Sequence, residues 1–358
     1  PFKNLGIIII DEENDVSYKQ EDKIIYNARD MAIVRAKFAS GHVLLVSATP
    51  SLETYQNCIK KKYFFTRIDR RFGKAVLPSL KIVNMRKEKK NIFSIETVNQ
   101  IRKNLELGKQ SLILINRRGY APISICTKCG ERQKCPHCDV NLVLHKESNQ
   151  LICHHCGYCK NINEGCTSCG DAKNILHVGI GIEKVLEEAK KLFNTNSLIA
   201  LSSDTFNRKT FKKTLERIEN NEIKILIGTQ IISKGFNFMH LNKIFILDFD
   251  MWFYNSDIRT GEKIFQLTQQ VAGRAGRGLE KGEVFIQTYD AKNNLLNKIV
   301  NNKTKEFYKE ELNFRKKAFL PPFSKLVAIL LQGRKLKEVE NVATQIKKLL
   351  TNYTSIVV

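Results

Sequence analysis

The sequence predicts an α/β protein: two parallel-sheet units in succession, the second interrupted by a small cysteine-rich module. Three observations predict it. Short apolar, β-branched runs alternate with helical stretches. Several of those runs stop abruptly at polar residues, as strands do at the edge of a parallel sheet where ligands bind. Nine of the ten cysteines fall between Cys126 and Cys169, inside the second series of strands.

In order along the chain, Leu5–Ile10 reads as a strand buried on both faces, ending in Asp11-Glu12-Glu13. Tyr26–Ala39 reads as a helix, and Val43–Val46 as a second buried strand ending in Ser47-Ala48-Thr49-Pro50. Residues 70–100, rich in Lys and Arg with weak periodicity, read as a linker and the entry to the second unit. That unit opens with a strand at Leu112–Ile115, followed by Asn116-Arg117-Arg118-Gly119-Tyr120. It resumes after the cysteines with a helix at Glu183–Phe193, a strand at Leu198–Leu201 and a helix at Lys209–Asn220. Strands at Ile223–Ile227 and Ile244–Leu247 end in Gly228-Thr229-Gln230 and in Asp248. A helix at Glu262–Gln270 and a strand at Val284–Gln287 complete it, and Leu326–Leu331 is strand-like beyond Pro321-Pro322.

Fifty-nine Lys and Arg against thirty-six Asp and Glu give a formal charge of +23, which points to a polyanionic partner, nucleic acid first. Eight zinc-bound thiolates and two zinc ions would lower it to about +19 without changing its sign. No apolar run approaches the length that spans a bilayer and no leader pattern is visible, so a membrane partner is not expected. The chain opens at Pro1 without an initiator Met, as a processed protein or a piece of a longer one would.

The cysteines at 126/129, 135/138, 153/156 and 166/169 form four C-x-x-C knuckles. Each knuckle points two thiolates at one ion, and four thiolates close a tetrahedral structural site, so eight cysteines hold two zinc ions and Cys159 is left over. Paired knuckles without a secretion signal favour metal in a reducing cytosol over disulfides. Val140–His145 and Leu151–Ile152 read as a hairpin. It would bring Cys135/Cys138 beside Cys153/Cys156 and leave Cys126/Cys129 to share an ion with Cys166/Cys169. This nested scheme is favoured over sequential pairing. His137, His154 and His155 read as exposed knuckle residues more than as ligands.

A strand ending in adjacent carboxylates can hold Mg²⁺ through Asp11 and polarise water through Glu12. Acidic pairs after strands are also common in plain loops. At the far end, Gln269-Gln270-Val271-Ala272-Gly273-Arg274-Ala275-Gly276-Arg277 sets two guanidiniums three apart at a helix end, which suits a finger reaching a γ-phosphate.

DEE, SATPS, INRRGYAP, the four knuckles, IGTQ, SKG and QVAGRAGR occur in that order. Together they closely resemble the primosomal protein N′ (PriA) family of superfamily 2 replication-restart helicases, over nearly the whole chain. The resemblance implies two RecA-like lobes, the first one partial (1–72), and a second lobe at 73–125 and 171–295. It implies an inserted two-zinc module at 126–170 and the start of a C-terminal α+β domain at 296–358. It implies ATP with Mg²⁺ as fuel, and 3′-to-5′ unwinding of branched and single-stranded DNA. The implied partners are primosome proteins, the replicative helicase and its loader, and single-stranded-DNA-binding protein; the implied location is the bacterial cytoplasm, at the nucleoid.

Carried over position by position, Asp11 and Glu12 are the Mg²⁺ and catalytic-base pair, and Ser47 and Thr49 belong to the coupling motif. Thr229, Gln230 and Lys234 lie in the DNA-contacting fifth motif. Gln270, Arg274 and Arg277 belong to the sixth, with Arg277 the favoured finger. Tyr18, Lys19, Tyr26 and Arg29 match an aromatic-rich loop that senses single-stranded DNA, where rings beside cations suit base stacking and phosphate contact. On packing grounds alone, Tyr26 reads as core. Three departures stand out: Asn14 and Phe236 occupy positions where the family carries His, and no G-x-x-x-x-G-K-[ST] loop occurs in these residues. The family carries that loop upstream of the matched region. A truncated, non-catalytic DNA- or protein-binding module built on the zinc ribbons is the competing expectation.

Overall fold

The structure is a computed structural model. It describes residues 4–20, 24–68, 76–88, 91–115, 123–126, 128–129, 131–137, 140–145, 148–153, 156–178, 181–201, 208–229, 238–254, 257–276, 281–327, 329, 331, 333 and 335–353. Residues 1–309 form one compact unit and 310–358 a second.

The first lobe begins with β1 (Ile7–Ile10), a short ribbon of β2 (Lys19–Gln20) and β3 (Tyr26–Asn27), then α1 (Ala28–Phe38), β4 (His42–Leu45) and α2 (Leu52–Ile59). β1 and β4 pair in parallel, Ile7 with His42 through Ile10 with Leu45, and α1 packs on them. The expectation of burial on both faces fails here: Ile10 is buried, but Ile7 and Ile9 are 54% and 62% exposed. Successive strand side chains alternate between faces, and α1 covers only one of them. The expected helix at 26–39 starts two residues later, because Tyr26 and Asn27 pair with Gln20 and Lys19, and the Asn27 side chain then caps α1 by accepting from the Arg29 N–H. Tyr26 is 45% exposed, not core.

Residues 70–100 are more than a linker. They hold β5 (Ser79–Asn84) and the first half of α3 (Ile95–Glu106), which leads into β6 (Gln110–Leu114). The cysteine module follows: β7 (Ile123–Cys126), β8 (Val143–His145), β9 (Gln150–Ile152), β10 (Cys159–Asn161) and β11 (Ile175–Val178). β8, β9 and β10 form an antiparallel sheet, and β7 pairs antiparallel with β11, so the module leaves and rejoins the lobe at one place.

The chain continues through α4 (Ile182–Phe193), β12 (Leu198–Leu201), α5 (Arg208–Glu219), β13 (Ile225–Gly228), β14 (Leu241–Ile246), α6 (Thr260–Ala272) and β15 (Glu283–Thr288). These strands with β5 and β6 make a six-stranded, wholly parallel sheet in the order β12-β13-β6-β14-β15-β5. It is the RecA-like sheet expected of the second lobe. β6 and β13 are buried at every residue, as central parallel strands covered on both faces must be. α3 and α4 pack Ile101, Val185, Ala189 and Phe193 against Ile113, Ile225, Ile227, Phe245 and Phe285. β5 is the edge strand, and its Lys81 bonds Glu283 at 2.7 Å.

α7 (Asn294–Val300) closes the first unit, α8 (Thr304–Lys317) crosses the boundary, and the second unit carries α9 (Leu336–Thr351). The strand-like run Leu326–Leu331 forms no strand among its described residues, and Leu326 and Val327 are 57% and 85% exposed. A strand needs a paired neighbour, and the described residues of 310–358 offer none.

Candidate functional site

The module gathers its cysteines into two groups. The Sγ atoms of Cys126, Cys129, Cys166 and Cys169 all lie within 4.8 Å of one another, and so do those of Cys135, Cys153 and Cys156. Cys138, His154 and His155 lie outside the described residues. The grouping is nested, because the β8–β9 hairpin carries Cys153 and Cys156 back beside Cys135. Cys159 belongs to neither group; its thiol is exposed and donates to the Gly157 carbonyl at 3.2 Å.

The geometry fits zinc. Cys126–Cys169, Cys129–Cys166 and Cys135–Cys156 are each 3.6 Å apart, sulfur to sulfur. A tetrahedron with zinc–sulfur bonds of about 2.3 Å has an edge of about 3.8 Å. Backbone amides point into the knuckles: the His137 N–H donates to Cys135 and the Ser168 N–H to Cys166, both at 3.4 Å. The Gln133 amide adds a third such bond, to the Cys166 sulfur at 3.3 Å. Burial opposes ionisation of Cys166, but the Cys169 and Ser168 N–H groups, Gln133 and Cys129 outweigh it and pull the thiol down to about 6. Its neighbour goes the other way. The Glu131 backbone favours a Cys129 thiolate, yet desolvation and the thiols of Cys169, Cys166 and Cys126 push it up to about 12. A zinc ion bound by the four sulfurs favours all of them as thiolates.

The second constellation surrounds the acidic run after β1. Glu12 sits in the left-handed region at φ 48° and its N–H donates to Asp11 Oδ1 at 2.9 Å. The Glu13 N–H donates to the Val46 carbonyl at 3.1 Å, joining the turn to the end of β4. The Ser47 hydroxyl donates to Asn14 Oδ1 at 2.7 Å and accepts from the Thr49 N–H at 3.0 Å. Two members of the expected DNA-sensing loop reach the same turn: the Tyr18 hydroxyl donates to the Asp11 carbonyl at 2.8 Å, and Arg29 bonds Glu13 at 2.9 Å. Burial raises the Tyr18 pKa, and the carboxylates of Asp11, Asp15 and Glu12 raise it further. Lys19 and Tyr26 stand exposed on the β2–β3 ribbon.

Across from the coupling motif, α6 and the residue just before it contribute polar side chains, of which Glu262 and Gln266 are buried. Glu262 Oε1 accepts from the Leu52 N–H at 2.9 Å, Gln266 donates to the Thr49 carbonyl at 3.3 Å, and Arg259 pairs with Glu53 at 2.7 Å. The Tyr308 hydroxyl donates to the Pro50 carbonyl at 2.5 Å while its ring lies against Tyr55 and Phe265. The backbone of residues 49–52 is therefore held by three side chains from beyond the first lobe. Gln270 lies in the last turn of the same α6, and Arg274 lies two residues beyond its end. Thr229 is buried at the end of β13. Gln230, Lys234 and Arg277 lie outside the described residues, as does Phe236. Sequence reasoning missed Glu13, Glu262, Gln266, Tyr308 and Gln133. Only Glu13 carried a signal, as the third carboxylate of its run.

Two family models match the chain: the PriA DNA helicase Cys-rich region domain at residues 135–160 and the helicase conserved C-terminal domain at residues 173–278. The chain is 44% identical over 352 residues to the replication restart protein PriA of Rickettsia prowazekii, covering 97% of this chain and 54% of that protein. It is 34% identical over 355 residues to that of Bacillus subtilis, covering 98% and 44%. The chain thus spans about half the length of the curated relatives it matches. Among solved structures, RecG bound to a three-way DNA junction is similar at a TM-score of 0.42 and 15% identity, over 97% of this chain and 34% of that one, a likeness too low to carry weight.

Proposed function

The chain belongs to the PriA family of replication restart proteins, and from that premise we propose that it is the motor portion of an ATP-driven DNA helicase that unwinds branched DNA 3′ to 5′ at stalled forks and seeds primosome assembly. The observation that carries the reading is the bonding of α6, which leads into Arg274 and Arg277, to the Thr49 carbonyl of the coupling motif through Gln266 and to the adjoining Leu52 N–H at the start of α2 through Glu262. A motor needs such a joint between the lobe that holds its catalytic carboxylates and the lobe that holds its arginines.

Asp11 and Glu12 stand at the carboxyl end of a parallel strand, an oxygen donor set suited to a hard cation. Asp11 would hold Mg²⁺, which when bound neutralises charge on the β- and γ-phosphates. Glu12 accepts a proton from the attacking water as the bond between the γ-phosphorus and ADP breaks. Arg274, Arg277 and Gln270 face the charge that develops on the transferred group, with Arg277 as the finger. Thr229, Gln230 and Lys234 contact the DNA backbone, and Tyr18, Lys19, Tyr26 and Arg29 report strand occupancy to the acidic turn. The P-loop that grips the phosphates lies outside these residues on the reading proposed here. Cys126, Cys129, Cys166 and Cys169 hold one zinc ion and Cys135, Cys138, Cys153 and Cys156 the other. Both sites are closed, so the ions hold shape and do no chemistry. Primosome proteins, the replicative helicase with its loader and single-stranded-DNA-binding protein are the expected partners, in a bacterial cytoplasm. Among the described residues no helix is long and apolar enough to cross a membrane.

The test is strand separation. A polypeptide carrying this chain with its P-loop region should unwind a forked duplex with ATP, and Glu12→Gln should abolish that while leaving fork binding intact. Binding without any ATP-dependent unwinding in the parent protein would instead support the non-catalytic module.

A further inference from the structure

We propose that Glu13, the third carboxylate of the acidic run, is a positioning residue that fixes the Asp11-Glu12 turn and ties it both to the Tyr18–Arg29 loop and to the second lobe. The proposal rests on the ATPase reading above and adds a residue to it. Glu13 is 2% exposed. A carboxylate so buried is tolerated only when its oxygens are satisfied. Here they take four donors: the Ser51 N–H at 2.6 Å, the Ser51 hydroxyl at 3.1 Å, the Thr54 hydroxyl at 2.9 Å and Arg29 Nη1 at 2.9 Å. Every one of these partners lies outside its own turn.

What this anchor holds is the residue before it. Glu12 is a non-glycine residue in left-handed conformation, which persists only where the surroundings over-determine it. On one side Asp11 Oδ1 takes the Glu12 N–H, and the Glu12 carbonyl accepts from the Asp15 N–H at 2.8 Å. On the other side Glu13 is pinned by its main chain to Val46 and by its side chain to the start of α2. Releasing that side chain frees the turn to relax toward ordinary φ, and the Glu12 carboxylate moves with it.

Two inputs converge on the anchor. From the loop, Arg29 stands at the first turn of α1 and reaches both Glu13 and Ser51 Oγ at 2.9 Å. Burial works against its charge, but the carboxylates of Asp30 and Glu13 outweigh it, so the guanidinium stays a cation. From the second lobe comes Glu262. Ser51 N–H and Leu52 N–H are adjacent amides at the start of α2; Glu13 takes the first and Glu262 the second. One carboxylate from each lobe thus grips the same positive helix end. A shift of α6 moves Glu262, the start of α2 and therefore Glu13. Glu13 itself touches no nucleotide; it acts through Glu12.

The experiment compares wild type, Glu13→Gln, Arg29→Met and the double variant, in the polypeptide that carries this chain and its P-loop region. Glu13→Gln keeps the shape but sets an amide against Arg29. Its DNA-stimulated kcat for ATP should fall about 100-fold, the usual cost of a misplaced catalytic group. Its KM for ATP and its affinity for single-stranded DNA should stay within about threefold. The double variant should be no worse than Glu13→Gln, because both changes break one link. Unchanged kcat, a KM that rises with the loss, or fully additive losses would each overturn the proposal. If the wild type shows no DNA-stimulated turnover, the ATPase reading fails on its own, and hydrogen exchange on the 358-residue chain decides the anchor. Faster exchange at residues 11–15 and 51–55 in Glu13→Gln, with β6 and β13 unchanged, supports it; unchanged protection there sinks it.

Discussion

Replacing Gln133 by Leu should loosen one zinc ion and leave the other. Gln133 is fully buried between the two sites. Its main chain joins the inner group, accepting from the Leu142 N–H at 2.9 Å, and also donates to the Ser124 carbonyl at 2.7 Å. Its side chain serves the outer group, donating to the Cys166 sulfur at 3.3 Å and accepting from the Thr167 N–H at 3.1 Å. Leu preserves the volume and the main-chain bonds but removes both side-chain bonds. Thr167 is exposed, so water replaces its lost acceptor at little cost. The Cys166 bond is different, since a hydrogen bond to a charged group contributes about 1.5–3 kcal/mol. Loss of a group that orients a metal ligand commonly lowers metal affinity about 10–100-fold, which matches that range. Zinc counted by native mass spectrometry during competition with a chelator should show one ion leaving about 10–100 times more readily and the second at the parental rate. With cobalt in place of zinc, the sulfur-to-metal charge-transfer band of one site should shift. Parental release of both ions, or loss of the ion bound by Cys135 and Cys153, would refute the reasoning.

Other perturbations separate the remaining assignments. Cys135→Ser should release one ion and unprotect the β8–β9 hairpin in hydrogen exchange, Cys126→Ser should release the other and spare the hairpin, and Cys159→Ser should release none; one ion per chain in the parent would defeat the two-site reading. The 358-residue chain by itself should not hydrolyse ATP, because it contains no P-loop backbone and Lys to cradle the phosphates; turnover abolished by Glu12→Gln in this chain would overturn that. With the P-loop region present, Arg277→Ala should cut turnover by roughly 10³-fold or more while fork affinity, read by anisotropy, changes little. Glu283→Gln should destabilise the second lobe at neutral pH, because Lys243, 7% exposed, loses a counter-charge at 3.6 Å. Burial opposes the Glu283 charge, but Lys81 and Lys243 outweigh it and hold the carboxyl below its ordinary range. Its contribution is thus present above the unfolded carboxyl pKa and lost as pH falls through the lower folded value. The gap between parent and variant in urea denaturation should therefore close only at acid pH.

The sequence disclosed the central sheet because its strands are buried on both faces. β13 and the Leu112–Leu114 part of β6 are continuous apolar runs, and no other local structure suits them so well. β5 was hidden by the same logic: an edge strand tolerates an exposed Lys81, and it reads as part of a basic linker. α3 did leave a mark, since the Ser94 side chain accepts from the Thr97 N–H as an N-cap should. Weak apolar periodicity in its basic surroundings masked it. The nested cysteine groups were legible because a hairpin is local, joining residues fewer than ten apart. The joint around Glu13 was not. Its partners Arg29, Ser51 and Thr54 lie 16, 38 and 41 residues away, and Glu262 meets Leu52 across 210. Periodicity and spacing speak only to neighbours along the chain, so a polar network assembled by tertiary packing leaves no trace in them.

Asn14 gains a meaning from the same network. Members of the resembled family carry His there, and a loss of coupling would follow if the position needed a titrating ring. The structure shows what the position needs. The Ser47 hydroxyl requires an acceptor, because its own oxygen already accepts from the Thr49 N–H. The Asn14 side-chain carbonyl is such an acceptor at every pH the cell meets. A neutral imidazole could accept the same proton, but on protonation near its ordinary pKa of about 6.5 it becomes a donor on both nitrogens and the bond reverses. Asn therefore keeps a bond between the acidic turn and Ser47 and places no titrating ring in it. On this geometry the substitution does not by itself argue for a decayed motor. A side chain drifting without constraint would not be expected to keep a 2.7 Å bond to the Ser47 hydroxyl, which also accepts from the Thr49 N–H.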